Sequence, residues 1–507
     1  MSGLLTHLSI PLTSLLVGWM ALWPTRRQLG ALGYHLSAYP VGLLSCVAVT
    51  ATSTLRGHPL DWTSVALGLA VYVLLGWVTA RAAGTGMSDQ VRPAGVPAWT
   101  FAVAALAATG ASAVLAASQL TVVSGDSWNS YWPRGLQLAR DGVFTAPILA
   151  ERGVLIPSLN AIHTLFGGDW LYVAYPMLAA NMLLLLVYAL VRRPGSGRTS
   201  KVGAWVASGT LAFLLTTPLF VSHAFYVHSH LLSATYLLLS LMAVEQARSG
   251  GDVTPAKRSW LMIAGFSTAG LALTRPDGLA YALIPVLSAL ALLTAASNTS
   301  RGRSTVVFFV PMIAPVLLTY LAAFLTLGLW ESSKLGGHTS AILVALLAAC
   351  CLVPASVARL RSSRARLMRE DWILALTTAG ASLVILVVAA LRWDMFRLAV
   401  LNAGSNLFMT GAWWHVWYAF AALLLLTVLS GDALRPGSAT RRVFLSIALF
   451  FVVAVVVHGT SHVGRVGPTD SFNRVAFHIV PVILWYAGMV LHRILGSREV
   501  RNADASP

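Results

Sequence analysis

Uncharged apolar runs recur from one end of this chain to the other, and most are long enough to cross a lipid bilayer. About 15 of them, roughly 16 to 26 residues each, centre near residues 13, 43, 72, 110, 180, 212, 238, 267, 287, 317, 349, 381, 421, 450 and 484. A segment in hydrocarbon must satisfy its own backbone hydrogen bonds, so such runs fold as helices. Composition agrees: 57% of residues are hydrophobic, only 10% are charged and the mean hydropathy is +0.75, whereas a soluble domain carries roughly 25% charged residues. The expected fold is an all-α polytopic membrane protein.

An odd number of spans puts the termini on opposite sides. With the C-terminus cytoplasmic, the inner loops receive the basic groups around Arg26, Arg92, Arg193, Lys257, Arg258, Arg303, Arg361 to Arg369, Arg442 and Arg498. That orientation holds about 24 of the 34 basic residues inside, as the positive-inside rule requires. A net charge of +17 and a pI near 10.5 would also suit nucleic acid. The charge is instead split among short loops, densest in RLRSSRARLMRED, which suits topology and anionic lipid. Membrane lipids, and not nucleic acid, are the expected partners of these charges. Cys46, Cys350 and Cys351 all sit in apolar runs and suggest neither a disulfide framework nor a zinc site. The first segment lacks a basic leader and reads as a retained span.

The chemistry collects at the outer boundary. The charge-free run Pro97 to Val123 ends at Asp126, and a carboxylate at that depth is costly unless used. Beyond it, Trp128, Trp132, Leu136 and Ala139 recur at helical spacing, so this piece is expected along the membrane surface; a second short helix is expected around Ile156 to Leu165. A carboxylate can act as a general base, and Trp128, Tyr131 and Trp132 offer stacking faces for a sugar. In LALTRPDGL, Pro276 and Gly278 break the helix and present Arg275 and Asp277, either to a ligand or to each other as a turn-closing pair. In DSFNRVAFHIVP, Arg474 and His478 are four residues apart and are expected to share a helical face, with Asn473 beside them, as an anion site. His163, His223, His228, His230, His338, His415, His458 and His462 fall at or near outer loops. Histidine hydrogen-bonds readily at interfaces, and the set is more informative than any member.

Taken together, the charge-free span, its terminal Asp126, the long first outer loop with two surface helices and the L-T-R-P-D-G turn resemble the GT-C glycosyltransferases. The stretch from Asp126 through LARDGVFTAPILAERGVLIPSLNAI is similar to the first loop of the actinobacterial arabinofuranosyltransferase and mannosyltransferase branches. The resemblance implies three extra helices and an inner linker over 1–96, a GT-C-like catalytic core over 97–300, C-terminal helices with a donor-phosphate loop over 301–494, and a cytoplasmic tail over 495–507. It implies an enzyme of the bacterial plasma membrane whose extracytoplasmic site moves a sugar, arabinofuranose or mannose, from a polyprenyl-phosphate donor to an envelope glycan, lipid or protein. By it Asp126 is the base, Arg275, Arg474 and His478 hold the donor phosphate, and Trp128, Tyr131, Trp132, His228, His230, Asp277 and Asn473 contact sugar or acceptor. The chain departs from many relatives in the second outer loop, where His223, Tyr226, His228 and His230 replace acidic residues. No metal site is assigned; a divalent ion held by histidine is the option left open. A transporter or flippase of a lipid-linked precursor is the alternative, against which stand the absence of an internal repeat and the gathering of ionisable groups at one boundary.

Overall fold

The computed structural model describes residues 2–83, 127–145, 148–149, 153–168, 171, 173–191, 201–225, 227–248, 254–295, 309, 313, 370–413, 416–429, 431, 438–461, 466 and 471–504. Among these every regular element is helical. The helices are α1 (Ser2–Leu22), α2 (Arg26–Leu43), α3 (Ser45–Arg56), α4 (Trp62–Ala83), α5 (Trp132–Asp141) and α6 (Leu155–Leu165). There follow α7 (Ala174–Val191), α8 (Lys201–Thr216), α9 (Pro218–Phe225), α10 (Ser229–Arg248), α11 (Pro255–Thr274) and α12 (Gly278–Ala295). The last six are α13 (Glu370–Leu391), α14 (Trp393–Phe408), α15 (Val416–Leu429), α16 (Ala439–Ser461), α17 (Ser471–Ala476) and α18 (Val480–Asp504). Helices occupy the expected span centres except those near 110, 317 and 349, which lie outside the described residues.

Among the described residues, four stretches are long and apolar enough to cross a membrane: Thr6–Arg56, Trp62–Ala83, Ala174–Val191 and Ala439–Val456. A fifth arises if α8 and α9, bent by 73° at the break before Pro218, count as one broken span. The protein is a multi-pass membrane protein.

The chain divides into two compact units. The first draws on Met1–Asp89, Ala105–Asn181 and His223–Leu367. At its centre α10 and α11 pack along their length, both buried on nearly every face. Their closeness is set by Gly270, where an added Cβ would lie 2.5 Å from the Tyr236 ring. Thr254 caps α11 by accepting from Lys257 N, and Pro255 supplies a first-turn residue that needs no N–H partner. α11 also packs on α2 and α4, so the N-terminal helices belong to this core. Small residues bring them in: a Cβ on Gly18 would meet the Ala38 carbonyl oxygen at 1.9 Å, and one on Gly42 would meet that of Ser14 at 1.7 Å. Such glycine contacts are how membrane helices associate where water offers no hydrophobic drive. Polar ties add to this: Tyr236 donates to the Pro40 carbonyl, and Thr50 shares a 2.8 Å hydrogen bond with Ser158 of α6.

Both short helices expected after Asp126 are present. α6 is buried from Leu155 through His163 against α5, α3 and α1, so it is an interior helix and not a surface one. In α5 the stripe that meets the protein is Tyr131, Gly135 and Leu138, while Trp132, Leu136 and Ala139 are only half-buried beside it. The reason is Gly135, whose missing side chain admits Asn160 of α6 to 2.4 Å from the Cβ position. The far end of α5 docks on the α3–α4 loop, where Leu60 N donates to the Ala139 carbonyl at 2.9 Å. In that loop Asp61 accepts from Arg56 and from Ser64 N, each at 2.6 Å, and these bonds hold its carboxyl below the ordinary range.

The second unit draws on Gln90–Ala104, Met182–Ser222 and Met368–Pro507. In it α13 packs on α16, α14 on α16 and α17, and α18 on α8, α15 and α16. Tyr486 of α18 donates to Thr427 at 2.6 Å, and His492 bonds the Leu190 carbonyl at 2.9 Å, the latter beside Gly203, whose lack of a side chain leaves room for the imidazole.

Candidate functional site

In the first unit the chain assembles a polar cluster from segments far apart in sequence. A wide, π-helical turn over Ser127–Tyr131 leads into α5 and delivers Tyr131, which is 1% exposed. Helix α11 stops at Thr274; Arg275 takes an extended conformation, Pro276 and Asp277 form the turn, and α12 restarts at Gly278. The sequence thus places a helix break where expected. Gly153 secures it from outside: its φ is +74°, and a Cβ there would stand 2.6 Å from Thr274 and Arg275 backbone atoms, while Val154 N donates to the Leu273 carbonyl at 3.0 Å.

Arg275 Nε donates to Asp277 Oδ1 at 2.6 Å, closing the turn, and Arg275 Nη1 reaches Ser229 Oγ at 3.3 Å. Burial works against the guanidinium charge, Asp277 more than offsets it, and Arg275 titrates above its ordinary value. Ser229, at the first turn of α10 and wholly buried, also accepts from the Tyr131 hydroxyl at 3.3 Å and lies 3.3 Å from His228 Nδ1. A second bond braces the same helix ends, Ser233 Oγ to Thr274 Oγ1 at 3.0 Å.

Three of the histidines singled out in the sequence gather here. His228 and His230 stack with ring centroids 4.2 Å apart and planes 7° from parallel, His223 meets His230 edge-on at 5.5 Å, and Tyr131 meets His228 edge-on at 5.5 Å. All three imidazoles are buried. Among the described residues no group of three or more histidine, cysteine, aspartate or glutamate side chains is arranged to hold a metal ion. The cluster supplies a fixed cation, a hydroxyl pair, stacked imidazoles and an aromatic face, which suits binding of an oxygen-rich or anionic ligand.

Tyr131, His228, His230, Arg275 and Asp277 therefore come together. Trp132 sits half-buried on the neighbouring stripe of α5. Trp128 belongs to the π-helical turn, of which only its backbone is described, and Asp126 and Tyr226 lie outside the described residues. Ser229 and Gly153 were not legible beforehand. A serine at a helix start reads as a cap, and a glycine in a long loop reads as a turn.

Asn473, Arg474 and His478 belong to the second unit. Asn473 is fully buried and donates to Thr410 Oγ1 at 2.9 Å, and Thr410 in turn donates to the Asn406 carbonyl at 2.7 Å. Arg474 is half-buried. The expected common helical face of Arg474 and His478 is interrupted. α17 ends at Ala476, and His478 N bonds to the Val475 carbonyl instead of that of Arg474, so the chain tightens before α18 begins. Buried His478 meets Phe450 edge-on at 6.3 Å, and Phe477 stacks with Phe220 at 5.8 Å.

No family model and no curated protein matches the chain. Among solved structures it is similar to the archaeal oligosaccharyltransferase AglB from Archaeoglobus fulgidus, in complex with an inhibitory peptide and a dolichol-phosphate. The TM-score is 0.45 and the identity 14%, over 80% of this chain and 52% of that one. The chain thus spans about half the length of that protein's chain.

Proposed function

We propose that this protein is a GT-C-type membrane glycosyltransferase, moving arabinofuranose or mannose from a polyprenyl-phosphate donor to an extracytoplasmic glycan, lipid or protein acceptor. Asp126 takes the proton of the acceptor hydroxyl as its oxygen attacks the anomeric carbon. The bond from that carbon to the phosphate oxygen breaks, and the polyprenyl phosphate leaves with the electron pair, inverting the centre. Within the first unit Arg275 meets the phosphate charge, and Tyr131, Trp128, Trp132, His228, His230 and Asp277 contact sugar or acceptor; Arg474 with His478 is a separate candidate for the donor phosphate, and Asn473 for the sugar.

The observation that carries the reading is the bridge from Tyr131 through Ser229 to Arg275. The turn that begins one residue after Asp126 and the L-T-R-P-D-G turn were singled out separately in the sequence, and a transferase needs its base and its phosphate ligand within one cavity. The test is transfer from radiolabelled polyprenyl-phosphate sugars, offered one at a time to purified protein in lipid. Wild type is expected to transfer one of them, and Asp126→Asn to lose about 10²- to 10⁴-fold, the usual worth of a positioned base. Near-normal turnover in Asp126→Asn would remove the assignment.

The broken α8–α9 pair favours the second reading, since discontinuous helices mark substrate paths in transporters. Protein-dependent movement of a lipid-linked sugar across a vesicle membrane, with no transfer to any acceptor, would establish that reading instead.

A further inference from the structure

One end of the N-terminal bundle gathers arginines with no carboxylate to meet them. Residues 1–83 hold a single acidic side chain, Asp61, against Arg26, Arg27, Arg56 and Arg81. Asp61 is engaged by Arg56 and by Ser64 N in the α3–α4 loop. From that loop α4 runs from Trp62 to Arg81, a rise of about 29 Å at 1.5 Å per residue, so Arg81 stands about one hydrocarbon thickness from Asp61. The end of α1 meets α4 at this far side: a Cβ on Gly76 would lie 2.7 Å from Ala21 Cβ, and the turn Trp23–Thr25 also packs on α4. Arg26 and Arg27 follow that turn directly. α2 is interrupted at Gly30, whose φ of +70° sets the residues before it apart as a short hook, anchored by buried Leu29.

Two of these arginines rest on indoles. The Arg26 guanidinium carbon lies 3.9 Å from the Trp23 ring centroid, and that of Arg81 lies 5.0 Å from that of Trp77. Among the described residues neither of them, nor exposed Arg27, forms an ion pair or a side-chain hydrogen bond. A ring face steadies a guanidinium without neutralising it, and the fork of N–H donors stays able to meet a phosphate. Both helices also turn an apolar stripe outward, Leu12, Leu16 and Met20 on α1 and Leu67, Val71 and Leu74 on α4, at the spacing of one helical face. Each stripe runs three residues further into an exposed tryptophan, Trp23 or Trp77, the ring that carries an arginine.

We infer that Trp23, Arg26, Arg27, Trp77 and Arg81 form a headgroup site for an anionic phospholipid, whose acyl chains lie along the outward stripes of α1 and α4. Cations at one level and apolar stripes leading from it match the two parts of such a lipid. A zwitterionic headgroup would bring its own ammonium against three cations. The site needs only a protein that spans a membrane, and it stands apart from the transferase reading.

Arginines that merely snorkel to the membrane surface are the competing account, and lipid binding separates the two. Full-length protein in detergent is titrated with phosphatidylglycerol, bound lipid is counted by native mass spectrometry, and phosphatidylcholine is the comparison. Wild type is expected to hold phosphatidylglycerol about tenfold more tightly than phosphatidylcholine. Arg26→Gln and Arg81→Gln are each expected to lose about fivefold in phosphatidylglycerol affinity, the worth of one basic residue at an anionic lipid surface, and the Arg26→Gln, Arg27→Gln, Arg81→Gln triple variant about a hundredfold. The Arg26→Lys, Arg81→Lys variant keeps the charge without the planar fork and is expected to recover only part. Arg140→Gln, which removes an exposed arginine paired with Asp141, is expected to change nothing. Inorganic phosphate is expected not to displace the lipid, since it has no chains for the stripes. No preference in wild type overturns the inference, and that measurement needs no variant to fold. Wild-type affinity in the triple variant or in the lysine variant, or an equal loss in Arg140→Gln, overturns it too, leaving only general attraction to a basic surface. Displacement by inorganic phosphate overturns the assignment to a lipid.

Discussion

Replacing Asp277 by asparagine tests whether the helix break at the candidate site is held by charge. The Arg275 and Asp277 side chains are 26% and 10% exposed and meet at 2.6 Å. With charge centres about 4 Å apart and an effective dielectric near 20, their attraction is about 4 kcal/mol. A quarter-exposed guanidinium is partly screened, and both groups were desolvated to form the pair, so about 2 kcal/mol is the reasonable net figure. Asparagine keeps the volume and one acceptor oxygen but not the charge. Asp277→Asn is therefore expected to destabilise the protein by about 2 kcal/mol, roughly thirtyfold in the folding equilibrium. Reversible unfolding in mixed micelles, run as a double-mutant cycle with Arg275→Gln, isolates the pair from other effects of each change. A coupling of about 1 to 2 kcal/mol is expected; a value below about 0.5 would show that the turn is held by its Pro276–Gly278 backbone and that the ion pair is incidental.

Three further outcomes are expected. Gly153→Ala forces a Cβ onto the backbone at Thr274 and Arg275 and places alanine at φ +74°, which together cost about 3 kcal/mol; the same unfolding assay checks this, and a neutral result would mean the Arg275 turn is not pressed by residue 153. Arg474→Ala should weaken binding of a polyprenyl phosphate, with Arg474→Lys recovering only part because the bidentate fork is lost; unchanged affinity in the alanine variant assigns the phosphate to another residue. Transfer should be indifferent to chelators once bound metal is stripped. Activity that falls on chelation, returns with one divalent ion and loses that response in the His228→Ala, His230→Ala double variant would overturn this.

Much of the fold was legible because helices in lipid declare themselves by length and polarity. The break at Arg275 was legible too, since proline and glycine act on the backbone whatever surrounds them. What packs against what was not. Trp128, Trp132, Leu136 and Ala139 mark an amphipathic segment, but which stripe of α5 meets the rest of the protein was not legible: it is that of Gly135, because close approach to Asn160 depends on a partner helix the sequence does not identify. Arg474 and His478 were placed on one face by counting residues, and the chain tightened between them under burial of Phe477 and His478. Ser229 had no signal of its own. Its importance lies in three neighbours from three segments.

The N-terminal helices show the same dependence on contact. By resemblance they were an addition to a catalytic core, but their small residues tell a different physical story. α1 and α2 are locked by Gly18 and Gly42, α4 is drawn onto α3 by Gly68, where a Cβ would lie 2.5 Å from Val49 Cα, and onto α1 by Gly76, 2.7 Å from Ala21 Cβ. The bundle so formed accepts the Tyr236 hydroxyl on Pro40 and presents α2 and α4 to α11. Helices α10 and α11 are the ones that end in Ser229 and Arg275. Their relative register fixes the distance between those two side chains, and α2 contacts both helices. A shift of an ångström along either helix would take Arg275 out of reach of Ser229, and in a close-packed interior such a shift is resisted by every neighbour at once. The N-terminal helices thus bear on the candidate site, by packing against the two helices whose ends form it.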